Sequence, residues 1–189
     1  MKLVFGLGNP GEKYHLTRHN VGFFVIDYLC KFHHIELNRY LFQAIVGEGY
    51  VKEKKIILAK PLTFVNESGH SLSCLQERYQ IKLKDIILIS DDVNLERGRI
   101  KIAEKGGDGG HKGLRSIIQC LNTEEIPRLR VGIGLPHKRE ELREYVLEEF
   151  TLREKKIIKE MIERAGQAVN MIIIEGIDKA MREYNRKHT

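Results

Sequence analysis

The amino-acid sequence predicts an α/β fold: a single domain over residues 1–189, with a twisted mixed β-sheet flanked by helices on both faces and C-terminal helices from about residue 151. Three observations predict it. β-rich runs alternate with segments of helical period along the chain, as strands covered by crossover helices do. The strand candidates 44–51 and 55–58 are too close together for a crossover and form an antiparallel hairpin, so the sheet is mixed. A chain of 189 residues holds one substantial core and is short for two.

The elements follow in order. Residues 2–5 form a short strand that delivers the turn Gly6-Leu7-Gly8-Asn9-Pro10-Gly11. Val21, Phe24, Val25, Tyr28, Leu29 and Phe32 then recur at helical spacing behind Asn20, a residue suited to an N-cap. Beyond the hairpin, residues 68–79 read as a helix, 86–89 as a very apolar strand, 99–103 as a strand, 113–121 as a helix and 129–133 as a strand. The tail reads as two helices. Thr151-Leu152-Arg153-Glu154 has capping-box spacing ahead of a helical apolar pattern, and Gly176 separates that helix from a short basic one ending near Lys187. No stretch reads as a linker, a repeat or a low-complexity region.

Composition narrows the class. With 42% hydrophobic and 31% charged residues the chain is globular rather than disordered. The longest apolar runs, such as that from Val21 to Ile26, fall far short of the ~18–20 residues a bilayer span needs. The N-terminus lacks a secretory apolar region, so the expected location is cytoplasmic. Cys30, Cys74 and Cys120 are odd in number and widely spaced, which argues against a disulfide framework or a zinc knuckle and predicts reduced core residues. A net charge of +6 favours anionic partners. Residues 97–130 hold eight basic residues against four acidic ones and are the expected phosphate-contacting face.

Three loops can carry chemistry. The first, at 6–11, matches G-x-G-x-x-G, but the helix waits until about Asn20 and Asp27 lies inside it, which disfavours a dinucleotide site. The second, at 106–113, lacks the Ser or Thr of a phosphate-binding P-loop after Lys112. It reads equally as a flexible functional loop ending in His111 and Lys112 or as a tight crossover. The third, at 90–98, departs from the calcium-loop pattern at Glu96 and Arg97. Spacing there leaves magnesium open, while Asp91 as the orienting partner of a histidine is chemically simpler. Among the histidines, His33 and His34 read as a solvated helix end, and His15, His70, His137 and His188 have no evident partner. His19 differs, because it sits where a loop enters a helix.

Six blocks in order carry a resemblance. They are Gly6 to Tyr14, Thr17-Arg18-His19-Asn20-Val21-Gly22, Lys60 to Gly69, Asp91-Asp92-Val93-Asn94-Leu95, Gly109 to Leu114, and Arg128 to Pro136. Together they resemble the bacterial-type peptidyl-tRNA hydrolase family. The resemblance implies a monomeric enzyme that cleaves the ester of peptidyl-tRNA or N-blocked aminoacyl-tRNA and recycles tRNA from peptides lost by the ribosome. It needs no cofactor, no metal and no protein partner. It also implies His19 as general base, Asp91 as its orienting carboxylate, and Asn9 as the discriminator of blocked from free α-amino groups. Tyr14, Phe64, Asn66 and Lys112 would contact the tRNA 3′ end and the peptide.

These residue types suit the chemistry. An imidazole can take the proton of an attacking water, and a carboxylate on its other nitrogen fixes the tautomer. Asn66, with backbone N–H groups near Ser68 and Gly69, is the expected oxyanion site, and Ser68 the expected helix cap. The family pattern usually has asparagine where this chain has Lys112, and methionine where it has Val65. Two other classes compete with the hydrolase: a non-catalytic RNA-binding module using the basic face, which would need neither His19 nor Asp91, and a nucleotide-dependent oxidoreductase at the first loop.

Overall fold

The computed structural model describes residues 1–136, 138 and 141–186. Seven strands, β1 (Lys2–Gly6), β2 (Arg39–Leu41), β3 (Ala44–Val51), β4 (Lys54–Pro61), β5 (Ile86–Asp92), β6 (Ile100–Ala103) and β7 (Arg128–Gly132), form one sheet in the order β2-β3-β4-β1-β5-β7-β6. β4, β1, β5 and β7 run parallel, and β2, β3 and β6 add antiparallel pairings at the two edges. The helices are α1 (Val21–His33), α2 (Ser68–Arg78), α3 (Lys112–Leu121), α4 (Leu142–Tyr145), α5 (Leu152–Glu175) and α6 (Ile177–Tyr184). Among the described residues no helix is long and apolar enough to cross a membrane.

The strand pleat sorts side chains onto two cores. In β1, Val4 joins α1, α5 and α6 on one face, while Leu3 and Phe5 join α2 and α3 on the other, all fully buried. Each such side chain contributes roughly 1.5–3 kcal/mol of burial. The parallel strands are buried on both faces and therefore read as unbroken apolar runs in the sequence.

Three elements depart from the sequence reading. β5 continues through Ser90, Asp91 and Asp92, because Asp91 and Asp92 pair with Val131 and Gly132 of β7, so these acids lie on a strand and not in a loop. β2 is a three-residue edge strand too short and exposed to leave a pattern, and α4 is a single short turn of helix. The capping box is present as read: Thr151 accepts from the Glu154 N–H, and the Glu154 carboxylate accepts from the Thr151 N–H at 2.7 Å. The short basic helix ends at Tyr184, and Lys187 lies outside the described residues, as do His137 and His188.

The first glycine loop serves packing. A Cβ at Gly6 would meet the Gly22 carbonyl oxygen at 2.5 Å, and one at Gly22 would meet the Leu7 oxygen at 2.4 Å. The start of α1 therefore lies directly on the end of β1, so packing alone accounts for Gly6 and no bound nucleotide is needed to explain it.

Candidate active site

β1 and β5 are neighbours, yet the chain leaving β1 goes on to β2, β3 and β4 on one side, and the chain leaving β5 goes to β6 and β7 on the other. The loops part above the carboxyl ends of these two strands, the usual place for a crevice in an open α/β sheet. A cleft of about 500 Å³ opens there, and Asn9, His19, Phe64, Asn66, Asp91 and Lys112 all line it. Tyr14 alone of the expected site residues stands outside its wall, packed edge-on against Phe64 with ring centroids 6.3 Å apart. A larger groove of about 700 Å³ lies between α1 and α5, floored by Phe24, Tyr28, Ile158 and Ile162, with exposed lysines at Lys31, Lys155 and Lys159. Size does not decide between them, because chemistry needs convergent polar groups and only the smaller cleft has buried ones.

His19 sits on a 3-10 turn (Arg18–Asn20) that runs straight into α1 and is 8% exposed. Its N–H donates to the Val146 carbonyl at 2.8 Å, and the Arg18 N–H donates to that of Glu148 at 2.9 Å. The Arg18 side chain is buried against the Tyr145 ring and reaches Glu154 at 3.1 Å. Glu154 also pairs with Arg97 at 3.0 Å. The turn is thus fastened to the chain that enters α5.

The side chain of His19 points to Asp91 at the end of β5, with Nδ1 2.7 Å from Oδ1. A second histidine, His111, meets the same oxygen through Nε2 at 2.9 Å, and the two rings lie 4.9 Å apart. His111 Nδ1 accepts the N–H groups of Gly113 and Leu114 and so caps α3. A nitrogen that accepts carries no proton, so the His111 proton is on Nε2 and is donated to Asp91. His19 likewise donates from Nδ1 to the carboxylate, which leaves its Nε2 as an acceptor. Burial alone would raise the Asp91 carboxyl, but the two imidazoles hold it well below the usual carboxylate range. Burial opposes a charged His19; the charge and hydrogen bond of Asp91 outweigh it and leave the His19 pKa raised, with Lys112 pulling the other way.

His19, Asp91 and His111 bring ligand-type atoms within 4.8 Å of one another, the one such group among the described residues. The donor set does not suit a metal. His111 Nε2 must carry a proton while Nδ1 caps the helix, and a protonated nitrogen cannot ligate.

Asn9 is buried, and both ends of it are placed. Its side-chain oxygen accepts the Val65 N–H at 2.9 Å, which leaves the NH₂ group to face the cleft as a donor. Its backbone is clamped by Asn20, whose oxygen accepts the Asn9 N–H at 2.8 Å and whose NH₂ donates to the Asn9 carbonyl at 2.9 Å. Asn20 therefore makes no side-chain cap on α1; the Val21 N–H is already taken by the Arg18 carbonyl.

A sequence model of the family described as peptidyl-tRNA hydrolase matches residues 3–189. The chain belongs to the peptidyl-tRNA hydrolase family. A peptidyl-tRNA hydrolase of Thermoanaerobacter pseudethanolicus is 49% identical over 98% of this chain and 100% of its own length. One from Caldanaerobacter subterraneus is 48% identical over the same shares. The crystal structure of peptidyl-tRNA hydrolase from Acinetobacter baumannii superposes with a TM-score of 0.93 at 33% identity, over 98% of this chain and 94% of that one.

Against the peptidyl-tRNA hydrolase pattern, several expectations need correction. Ser68 is no cap: it is the first residue of α2, fully buried, and its hydroxyl has no partner among the described residues. The Gly69 N–H donates to Ser116 Oγ at 3.0 Å, so it is not available to an oxyanion, and Asn66 is left as an exposed amide on the cleft wall. The basic stretch is not one open face. Arg128 is buried and donates to the carbonyls of Gly107, Glu124 and Ile126, while Arg130 pairs with Asp92, Arg115 with Asp108 and Lys105 with Glu125. Lys112 remains exposed at the start of α3. The cysteines are unpaired, but Cys120 is exposed and Cys30 and Cys74 are half-buried, so none is a true core residue. His33 is not a solvated end; it bonds Asn170 of α5 at 2.8 Å.

Sequence reasoning named His111 as a loop end and Asn20 as a helix cap but missed the contact of His111 with Asp91 and the clamp of Asn20 on Asn9. A histidine directly before a helical segment is a cap signal, and Asn20 directly follows His19 at the start of α1; neither signal names the partner across space.

Proposed function

We propose that this chain hydrolyses the ester joining the peptide, or an N-blocked aminoacyl group, to the 3′-terminal ribose of tRNA. The observation that carries the reading is the 2.7 Å contact of His19 Nδ1 with Asp91, which leaves Nε2 as a proton acceptor on a ring that lines the cleft. In the proposed step Nε2 takes a proton from water as the water oxygen attacks the ester carbonyl, and the imidazolium that forms is stabilised by Asp91. Collapse of the tetrahedral intermediate breaks the ester C–O bond, and His19 returns the proton to the departing ribose oxygen. Asn66 offers an amide to the oxyanion. Asn9, restricted to donating, reads a carbonyl oxygen of the peptide, a group that a free aminoacyl ester lacks at that place. Phe64 and Tyr14 give the 3′-terminal bases an aromatic surface at the lip.

The buried pair favours an enzyme over a binding module. A module that only holds RNA gains nothing from a carboxylate buried between two histidines, which costs desolvation. His19→Ala should bind tRNA as before and lose about 10⁴-fold in release of N-acetylaminoacyl groups from tRNA, the upper range for general-base catalysis. Wild-type turnover should be indifferent to EDTA. A variant that turned over at the wild-type rate would remove His19 from the reaction.

A further inference from the structure

Lys112 is the first residue of α3, is exposed, and shares the cleft with His19. Most charges around it are already matched. Arg130 meets Asp92 at 2.8 Å, Arg115 meets Asp108 at 3.3 Å, and the first amides of α3 are taken by His111. Lys112 has no ion-pair partner among the described residues, and Arg143, on α4, is the other exposed cation of the cleft wall without one.

We propose that Lys112 binds a backbone phosphate of the substrate's 3′ end and, from the same position, biases the charge state of His19. The proposal rests on the reading of the cleft as the peptidyl-tRNA site. A lysine offers a compact point charge with three donors and no acceptor, so an unmatched ammonium at Lys112 favours an anion over a neutral acceptor. The groups in contact with His19 are Asp91 from β5 and His111 from the loop before α3, and Lys112, which follows His111, and Arg143 line the same cleft. Arg18, next in the chain, is turned away to Glu154. On the farther walls the Asp92–Arg130 and Asp108–Arg115 pairs cancel. The ammonium of Lys112 therefore opposes the imidazolium that Asp91 favours, and keeps His19 neutral to lower pH than Asp91 alone would allow.

Two substrates separate the two roles: N-acetylaminoacyl-tRNA, and the N-acetylaminoacyl ester of adenosine, which carries no phosphate. With tRNA, Lys112→Asn should raise KM several-fold and lower the slope of log KM against log salt by about 1, the loss of one phosphate contact. With the adenosine ester, KM should be unchanged while the acid limb of kcat/KM moves to higher pH. Lys112→Arg should restore both. An unchanged salt slope would overturn the phosphate contact, and an unmoved acid limb would overturn the bias on His19. A wild-type enzyme with no acid limb on either substrate would instead count against His19 as the base.

Discussion

The loop between β1 and α1 and the loop between β6 and α3 each bring a histidine to Asp91 Oδ1, at 2.7 Å from His19 and 2.9 Å from His111. What differs is the far nitrogen of each ring. His111 Nδ1 is committed to two amides of α3, so that ring can only hold Asp91 in place. Among the described residues His19 has nothing comparable on Nε2, and the ring lines the cleft. Asn9, in the same loop as His19, repeats the arrangement: its oxygen is fixed by Val65 and its amide is left open. In the proposed reaction the role of each side chain follows from which end is left unmatched, and not from residue type.

The comparison can be broken most severely at Asp91. Asp91→Asn should lower kcat on the order of 10³-fold, because the amide can no longer fix the His19 tautomer or stabilise its charge, measured by single-turnover release from N-acetylaminoacyl-tRNA. A loss of less than tenfold would show that His19 does not depend on the carboxylate. For His111 the expected losses are smaller and separable. His111→Ala should cost roughly tenfold in kcat and about 1 kcal/mol of stability from the missing cap, whereas His111→Asn, a good cap, should recover the stability in a urea melt but not the rate. Recovery of both would make His111 a cap and nothing more.

Asn9→Ala should blur selectivity between blocked and free aminoacyl-tRNA by several-fold, the worth of one hydrogen bond, and an unchanged ratio would take Asn9 out of that role. The smallest effect concerns pH. Because the folded pKa of His19 lies above its ordinary 6.5, the stabilisation from its charged contact with Asp91 is complete below 6.5 and is lost as pH rises through the folded value. With His19 as the proposed base, activity should need the neutral ring and rise over the same interval. Thermal melts and kcat/KM measured from about pH 6 to 9 should therefore run in opposite directions, and Asp91→Asn should abolish the stability trend.

The sheet was legible because its parallel strands are apolar on both faces and its helices keep one buried stripe. β2 was not, since three exposed edge residues carry no period. The site was legible by residue type and motif, yet nothing local shows that His19 and Asp91, 72 positions apart, meet. Arg128 and Arg130 misled for a physical reason: a cation in the sequence looks the same whether it faces solvent or is matched inside by carbonyls or a carboxylate. At Gly6 the sequence reading rightly set the nucleotide motif aside, yet nothing local shows that close backbone packing, which demands the same missing Cβ as phosphate binding, is the reason for the glycine.

The brace from Arg18 to Glu154 spans 136 positions of sequence, and the His19 N–H rests on Val146. During synthesis the strand ends beneath the cleft are made well before either partner leaves the ribosome. A nascent chain can hold β1, β4 and β5 together while the turn carrying His19 is still unfastened. The turn that carries His19 is therefore fastened only after the chain entering α5 has been made and has docked.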